Sequence, residues 1–198
     1  MNKAIFLDRD GTINADKDYL YQIEDFEFLP KAVDGLKMLQ EEGYLLVIMT
    51  NQSGIARGYY TEKDFKRLNC WMLQELQNKG VIITKVYYCP HLPDAKIERY
   101  RKSCSCRKPA PGMFIKAVRQ FHIDLAQSYS IGDKMRDHPL CGEGGCRGYL
   151  IGRGERKDVI EKVKKGSYVN IQFAEDVYHC AIEILQKEHA KDRRDLGW

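Results

Sequence analysis

Short apolar runs along the chain alternate with longer segments in which apolar residues return every three or four positions, the pattern of a parallel sheet covered by helices. The runs predict strands over residues 3–7, 44–49, 82–88, 128–131 and 147–151, with a further one over 168–171. Between the first two, Ala32, Val33, Leu36 and Leu39 share a helical face, and Gly43 stands where a helix C-cap belongs. Thr61 followed by Asp64 reads as a helix start, after which Phe65, Leu68, Met72 and Leu76 line one face. Pro109 and Pro111 suit the first turn of a helix reaching His122, and a last helix is predicted over 173–186. These stripes are read as core. The expected architecture is a single α/β domain over residues 1–190, a mainly parallel sheet covered by helices, followed by a polar tail over 191–198. No insert is long enough for a large cap domain.

One stretch breaks the alternation. Residues 89–108 form a long, basic, proline-bearing segment, and loops of that length inside a compact domain are usually functional or pinned by something. It begins Cys89-Pro90-His91 and ends Cys104-Ser105-Cys106, a C-x-H-x₁₂-C-x-C set. Two thiols and a histidine with a further thiol suit a tetrahedral Zn²⁺ with no open position, hence a structural ion that aims the adjacent Arg107 and Lys108.

Composition adds little to the fold but narrows the setting. Hydrophobic residues make up 43% and charged residues 30%, as in ordinary globular enzymes. The net charge of +4 arises largely in 157–165 and 187–194, read as a solvated helix face or tail, with no nucleic-acid partner expected. No run approaches a membrane span, so a cytoplasmic protein without a membrane partner is expected. Seven cysteines, three of them clustered with a histidine, fit metal binding in a reducing compartment better than disulfides. Cys70, Cys141, Cys146 and Cys180 are read as small buried residues or partly exposed thiols, His122 and His138 as surface residues.

In parallel α/β sheets ligands sit beyond the C-terminal strand ends. There the chain presents Asp8-Arg9-Asp10-Gly11-Thr12, then Thr50-Asn51-Gln52-Ser53, then Arg107-Lys108-Pro109, then Gly132-Asp133-Lys134-Met135-Arg136-Asp137. Asp8 and Asp10 alone are weak evidence, since turns use such pairs routinely. Their coincidence with a hydroxyl and amide pair, a lysine and a second acidic pair at three other strand ends is what marks a site.

Asp8-x-Asp10-Gly11-Thr12, Thr50, Lys108 and Gly132-Asp133-x-x-x-Asp137 resemble, in order, the four motifs of the haloacid dehalogenase superfamily. The resemblance implies a Rossmann-like three-layer sandwich and a Mg²⁺-dependent phosphatase in which Asp8 is the nucleophile and Asp10 the acid and base. Mg²⁺ would be held by Asp8, Asp133 and the backbone carbonyl of Asp10, and Lys108, Thr50 and Asn51 would stabilise the transferring group. The zinc spacing, Cys106-Arg107-Lys108-Pro109 and 50–58 are further similar to the heptose-bisphosphate phosphatases, enzymes of carbohydrate metabolism that remove the C7 phosphate. The histidinol-phosphate phosphatases share the motifs but have a shorter loop, and they remain the alternative, with other small sugar phosphates. By the heptose resemblance Asp16, Tyr19, Gln52, Ser53, Arg107 and Lys134 would line the substrate site, with Arg107 holding the distal phosphate; a monomer acting on a small sugar bisphosphate is expected. Arg57 is left between substrate contact and solvation. Asp137 is assigned beside the metal, through water or by orienting Lys134, with a helix starting near Pro139.

Overall fold

The computed structural model describes residues 1–152 and 154–195. Its six strands are β1 (Ala4–Leu7), β2 (Leu45–Asn51), β3 (Lys85–Cys89), β4 (Tyr129–Gly132), β5 (Arg147–Ile151) and β6 (Ile171–Ala174). They form one parallel sheet in the order β3-β2-β1-β4-β5-β6. The chain thus winds outward from β1 in one direction and, from β4, in the other, so the crevice between β1 and β4 is the switch point at which such sheets bind ligands.

Alternation along each strand supplies both faces. Ile5 and Leu7 of β1 with Leu46 and Ile48 of β2 point to one side, where they pack with helices α1 (Ala32–Glu41), α3 (Glu62–Asn78) and α6 (Val177–Asp195). Ala4 and Phe6 with Val47 and Met49 point to the other, against Met113, Phe114 and Ala117 of α4 (Gly112–Phe121). Strands buried on both faces must be apolar throughout, which is why β1 and β2 read as continuous runs. Two shorter helices, α2 (Ser53–Arg57) and α5 (Lys157–Lys164), complete the set. The result is the three-layer Rossmann-like sandwich expected. Only turns and one 3-10 turn, Glu98–Tyr100, lie between β3 and α4, and no described helix is long and apolar enough to cross a membrane.

Several local expectations shift. The Thr61–Asp64 capping box forms in both directions, and Gly43 takes a left-handed φ of 86° after α1. β3 begins at Lys85 instead of residue 82. Pro111 is the N-cap of α4, with Pro109 still in the loop. The final strand and helix both move C-terminally: Phe173 belongs to β6, where it packs with α5, and α6 starts at Val177. α6 continues past residue 190 to Asp195, while 196–198 lie outside the described residues. The expected helix near Pro139 is replaced by a 3-10 turn, Met135–Asp137, because His138, Pro139 and the glycines that follow cannot sustain one. His138, expected at the surface, is buried and faces Ser130 of β4.

Candidate active site

Asp8 leaves β1 while its N–H still donates to the Ile131 carbonyl of β4, at 3.0 Å. The next residues wrap back: the N–H groups of Ile13 and Asn14 donate to the Arg9 carbonyl, and Gly11 N–H donates to the Asn14 carbonyl at 2.7 Å. Gly11 has a φ of 82°, a conformation glycine adopts without strain. This turn holds Asp8 and Asp10 together at the mouth of the crevice.

Behind the turn three buried carboxylates meet one buried ammonium. Lys108 Nζ stands 2.8 Å from Asp8 Oδ1 and 2.6 Å from Asp137 Oδ1, and donates to the Met49 carbonyl at 2.7 Å. Asp133 lies beside them, and carboxylate oxygens of Asp8, Asp133 and Asp137 fall within 4.8 Å of one another. Burial, and then the Asp137 charge, push the Asp8 carboxyl up to about 7 despite Lys108. Burial and Asp137 likewise raise Asp133 to about 6. Burial works against the Lys108 charge, but Asp8 and Asp137 outweigh it and hold the ammonium above its usual range. Three anions against one cation is an electrostatic deficit that a hard divalent cation on these oxygens would cancel. Space is kept for Asp133 in particular: a Cβ at Gly11 or Gly154 would stand 2.7 or 1.9 Å from its Oδ2. Donor chemistry, charge and cradle all fit Mg²⁺.

The Asp10 carboxylate is not part of this group. It accepts from Arg9 Nε and Nη2, at 3.1 and 2.9 Å, from Asn14 Nδ2 at 3.0 Å and from Gln52 Nε2 at 3.1 Å. Gln52 also donates to Thr50 Oγ1 at 2.8 Å and accepts from Tyr60. Asp10 is therefore held beside the nucleophile candidate by a polar frame anchored on Arg9, which is 1% exposed. Sequence reading missed Arg9, Asn14 and Tyr60. Arg9 stood inside the first motif, but nothing in the sequence showed that so polar a side chain is buried.

A cavity of about 280 Å³ opens over these groups. Asp8, Asp10, Asp16, Tyr19, Thr50, Asn51, Gln52, Ser53, Arg107 and Lys108, all expected at the site, line it. Arg57 and Arg136 join them. The Arg57 Nε is buried without a protein hydrogen-bond partner, and its guanidinium lies 5.9 Å over the Tyr19 ring. The Asn51 amide spans to the backbone of Lys108, accepting its N–H and donating to its carbonyl, both at 3.1 Å, so this side chain fixes the lysine in place. Lys134 lines an adjoining hollow with Asp16 and Asp133, its Nζ 3.7 Å from Asp133. Its backbone N–H donates to Asp137 Oδ2 at 2.9 Å.

The four expected zinc ligands converge at the base of the long loop. Cys106 Sγ lies 3.2 Å from the sulfurs of both Cys89 and Cys104, Cys89 and Cys104 are 3.5 Å apart, and His91 Nδ1 stands 3.3 Å from Cys106 and 3.7 Å from Cys89. Ligands of one tetrahedral zinc with bonds near 2.3 Å are separated by about 3.7 Å, so a slight expansion admits the ion. Burial also drives the Cys89 thiol above its usual range, a cost that coordination of the thiolate removes. From this cluster Arg107 Nη1 reaches back to the His91 carbonyl at 3.3 Å, and the next residue is Lys108.

A parallel sheet with two aspartates after its first strand, a buried lysine between carboxylates and a second acidic pair after β4 defines a phosphatase of the haloacid dehalogenase superfamily. The chain matches the polynucleotide kinase 3 phosphatase family over residues 3–178. It is 46% identical over 168 residues to the D-glycero-beta-D-manno-heptose-1,7-bisphosphate 7-phosphatase of Haemophilus ducreyi, covering 84% of this chain and 92% of that one. With the enzyme of the same name from Salmonella typhi it shares 52% over 134 residues, 68% of this chain and 71% of the other. Among solved structures, the D,D-heptose 1,7-bisphosphate phosphatase of B. bronchiseptica, complexed with magnesium and phosphate, superposes with a TM-score of 0.78 at 30% identity, covering 93% and 99% of the two chains. The chain belongs to the D-glycero-beta-D-manno-heptose-1,7-bisphosphate 7-phosphatase family.

Proposed function

We propose that the chain hydrolyses the C7 phosphate of D-glycero-beta-D-manno-heptose 1,7-bisphosphate. The observation that carries this reading is the buried Asp8–Lys108–Asp137 chain beneath a cavity with three further guanidinium groups, Arg57, Arg107 and Arg136, on its wall. One phosphate can be transferred at Asp8 while the other is held by a cation outside the reacting centre. The names of the relatives supply the sugar and its anomer.

Asp8 attacks phosphorus in line and becomes an acyl phosphate, while the bond from phosphorus to the C7 oxygen breaks. Asp10 protonates the departing alkoxide, then takes a proton from the water that hydrolyses the acyl phosphate, releasing inorganic phosphate and restoring Asp8. Arg9, Asn14 and Gln52 orient Asp10 for both steps. Lys108 and the Thr50 hydroxyl face the transferring oxygens, and Asn51 fixes the lysine that does so. Mg²⁺, held by Asp8, Asp133 and the Asp10 carbonyl, would supply the positive charge that lets two anions approach. Asp137 acts by fixing Lys108 and the Lys134 backbone. Zn²⁺ on Cys89, His91, Cys104 and Cys106 would pin the loop that delivers Arg107 and Lys108. Arg107 grips the C1 phosphate through its planar fork, with Arg57, whose Nε lacks a partner, beside it; Asp16, Tyr19, Gln52, Ser53 and Lys134 shape the sugar pocket. The same reading treats residues 1–190 as one catalytic domain, acting as a cytoplasmic monomer.

Steady-state assay of both anomers of the bisphosphate, the 7-phosphate alone, histidinol phosphate and a 3′-phosphorylated oligonucleotide tests this. The beta bisphosphate is expected to give the highest kcat/KM. A value no greater than for the other esters would falsify the substrate assignment.

A further inference from the structure

Outside the zinc set one more pair of thiols is in contact among the described residues. The connection from β4 to β5 runs His138-Pro139-Leu140-Cys141-Gly142-Glu143-Gly144-Gly145-Cys146. It doubles back on itself: Cys141 N–H donates to the His138 carbonyl at 3.1 Å, Gly145 N–H to the Gly142 carbonyl at 3.1 Å and Cys146 N–H to the Leu140 carbonyl at 3.0 Å. Cys141 and Cys146 thereby become bridge partners, with their sulfurs 3.6 Å apart and both thiols free.

Their surroundings divide the two thiols by role. Cys146 is fully buried, whereas Cys141 is partly accessible. Ser130 Oγ lies 3.2 Å from Cys141 Sγ and 2.6 Å from His138 Nδ1, placing a hydroxyl and an imidazole around the accessible sulfur. The hydrogen bond with Cys146, followed by His138 and its charge, holds the Cys141 thiol down to about 5, while Cys146 is driven up. A low, accessible thiol backed by a second thiol in contact is the arrangement of a reactive cysteine with a resolving partner. Gly148 makes room for it: a Cβ there would stand 2.9 Å from Cys141 Sγ and 3.0 Å from His138 Nδ1. A disulfide needs the sulfurs at about 2.05 Å, and the glycines between the two cysteines give the backbone latitude to close that gap.

We infer that Cys141 and Cys146 form an oxidisable dithiol site whose co-reactant is a small-molecule disulfide. The Cys141 thiolate attacks one sulfur of the reagent, forming a mixed disulfide and expelling a thiolate. Cys146 then attacks the Cys141 sulfur, its proton passing to the leaving thiolate; the protein gains one disulfide and the reagent leaves as two reduced thiols. Closure draws the two sulfurs together from 3.6 Å and so pulls on the loop that begins immediately after Asp137. Oxidation at this site therefore bears on the carboxylate that fixes Lys108.

The experiment treats the zinc-loaded full chain with oxidised glutathione, alkylates free thiols and digests with trypsin. Cleavage after Arg136 and Arg147 leaves both cysteines on one peptide, residues 137–147. The expected result is loss of both alkylation sites on that peptide, with the zinc content unchanged. In Cys146→Ser the same treatment leaves glutathione on Cys141, whereas Cys141→Ser leaves Cys146 unmodified. Two alkyl groups retained on the wild-type peptide, or glutathione accumulating on Cys146 instead, overturn the site. Turnover of a phosphomonoester read in the same samples is expected to fall on closure and return on reduction. Unchanged turnover in fully closed protein overturns the link to the active site.

Discussion

At the scale of single residues the site is a matter of charge balance in a dry place. In the proposed mechanism Asp8 must be ionised to attack, yet burial and Asp137 oppose ionisation, so Lys108 would be as necessary to that step as the carboxylate itself. Asp8→Asn is expected to abolish turnover with an unchanged circular dichroism spectrum, and retained activity would exclude the covalent route. Lys108→Met removes the one ammonium between Asp8 and Asp137. It is expected to abolish turnover and, by stranding buried charge, to cost roughly 3–5 kcal/mol in denaturant unfolding, less where the carboxylates take up protons. Motif residues such as Asp8, Asp133 and Lys108 were legible in the sequence because their order along the strand ends is itself informative. Arg9 and Tyr60 were not, since their burial depends on segments far apart in the chain.

At the scale of elements, the long loop and α3 are joined through Glu62. Its carboxylate accepts the hydroxyls of Tyr88 in β3 and Tyr100 in the loop, each at 2.7 Å. The two hydrogen bonds hold the Glu62 carboxyl below its usual value, so the stability they confer is complete above about pH 4.5 and is lost as pH falls through the lowered folded value. Glu62→Gln should therefore lower thermal stability at neutral pH while changing it little at low pH, flattening the acid limb; an unaltered acid limb would show that the contacts are silent. Removal of the proposed zinc should act on the same loop. Chelation is expected to lower turnover with Lys108 intact, and to restore it on readdition of zinc, as followed by metal analysis and activity together. The Thr61 capping box, visible in the sequence and formed in the structure, should cost about 1 kcal/mol on Thr61→Ala in thermal unfolding. Caps of this kind are local, which is why they were readable; the exact entry into β6 and α6 was not, because the alternating Ile171–Ala174 segment acquires its strand character by pairing with β5.

Across the whole molecule, the doubly wound sheet converts four separate strand-end segments into one site. Asp8 and Asp133 immediately follow adjacent strands at the β1–β4 switch point, 125 positions apart in number but close enough to share an ion. Mg²⁺ is expected to raise the Tm of the native chain, and Asp133→Asn to lose that gain, since a ligand bound by the folded state alone stabilises it. Periodicity determined the layer architecture and ligand intervals gave the C-x-H and C-x-C spacing, because both are properties of neighbouring residues, while the four phosphatase motifs were legible through their resemblance to the haloacid dehalogenase superfamily. Tertiary structure alone decided that Asp137 meets Lys108, that Arg9 is buried behind Asp10, and that His138 and Cys141 turn inward beside Ser130. Those outcomes depend on which strands become neighbours and on what space the glycines leave, and neither is written at any one position of the chain.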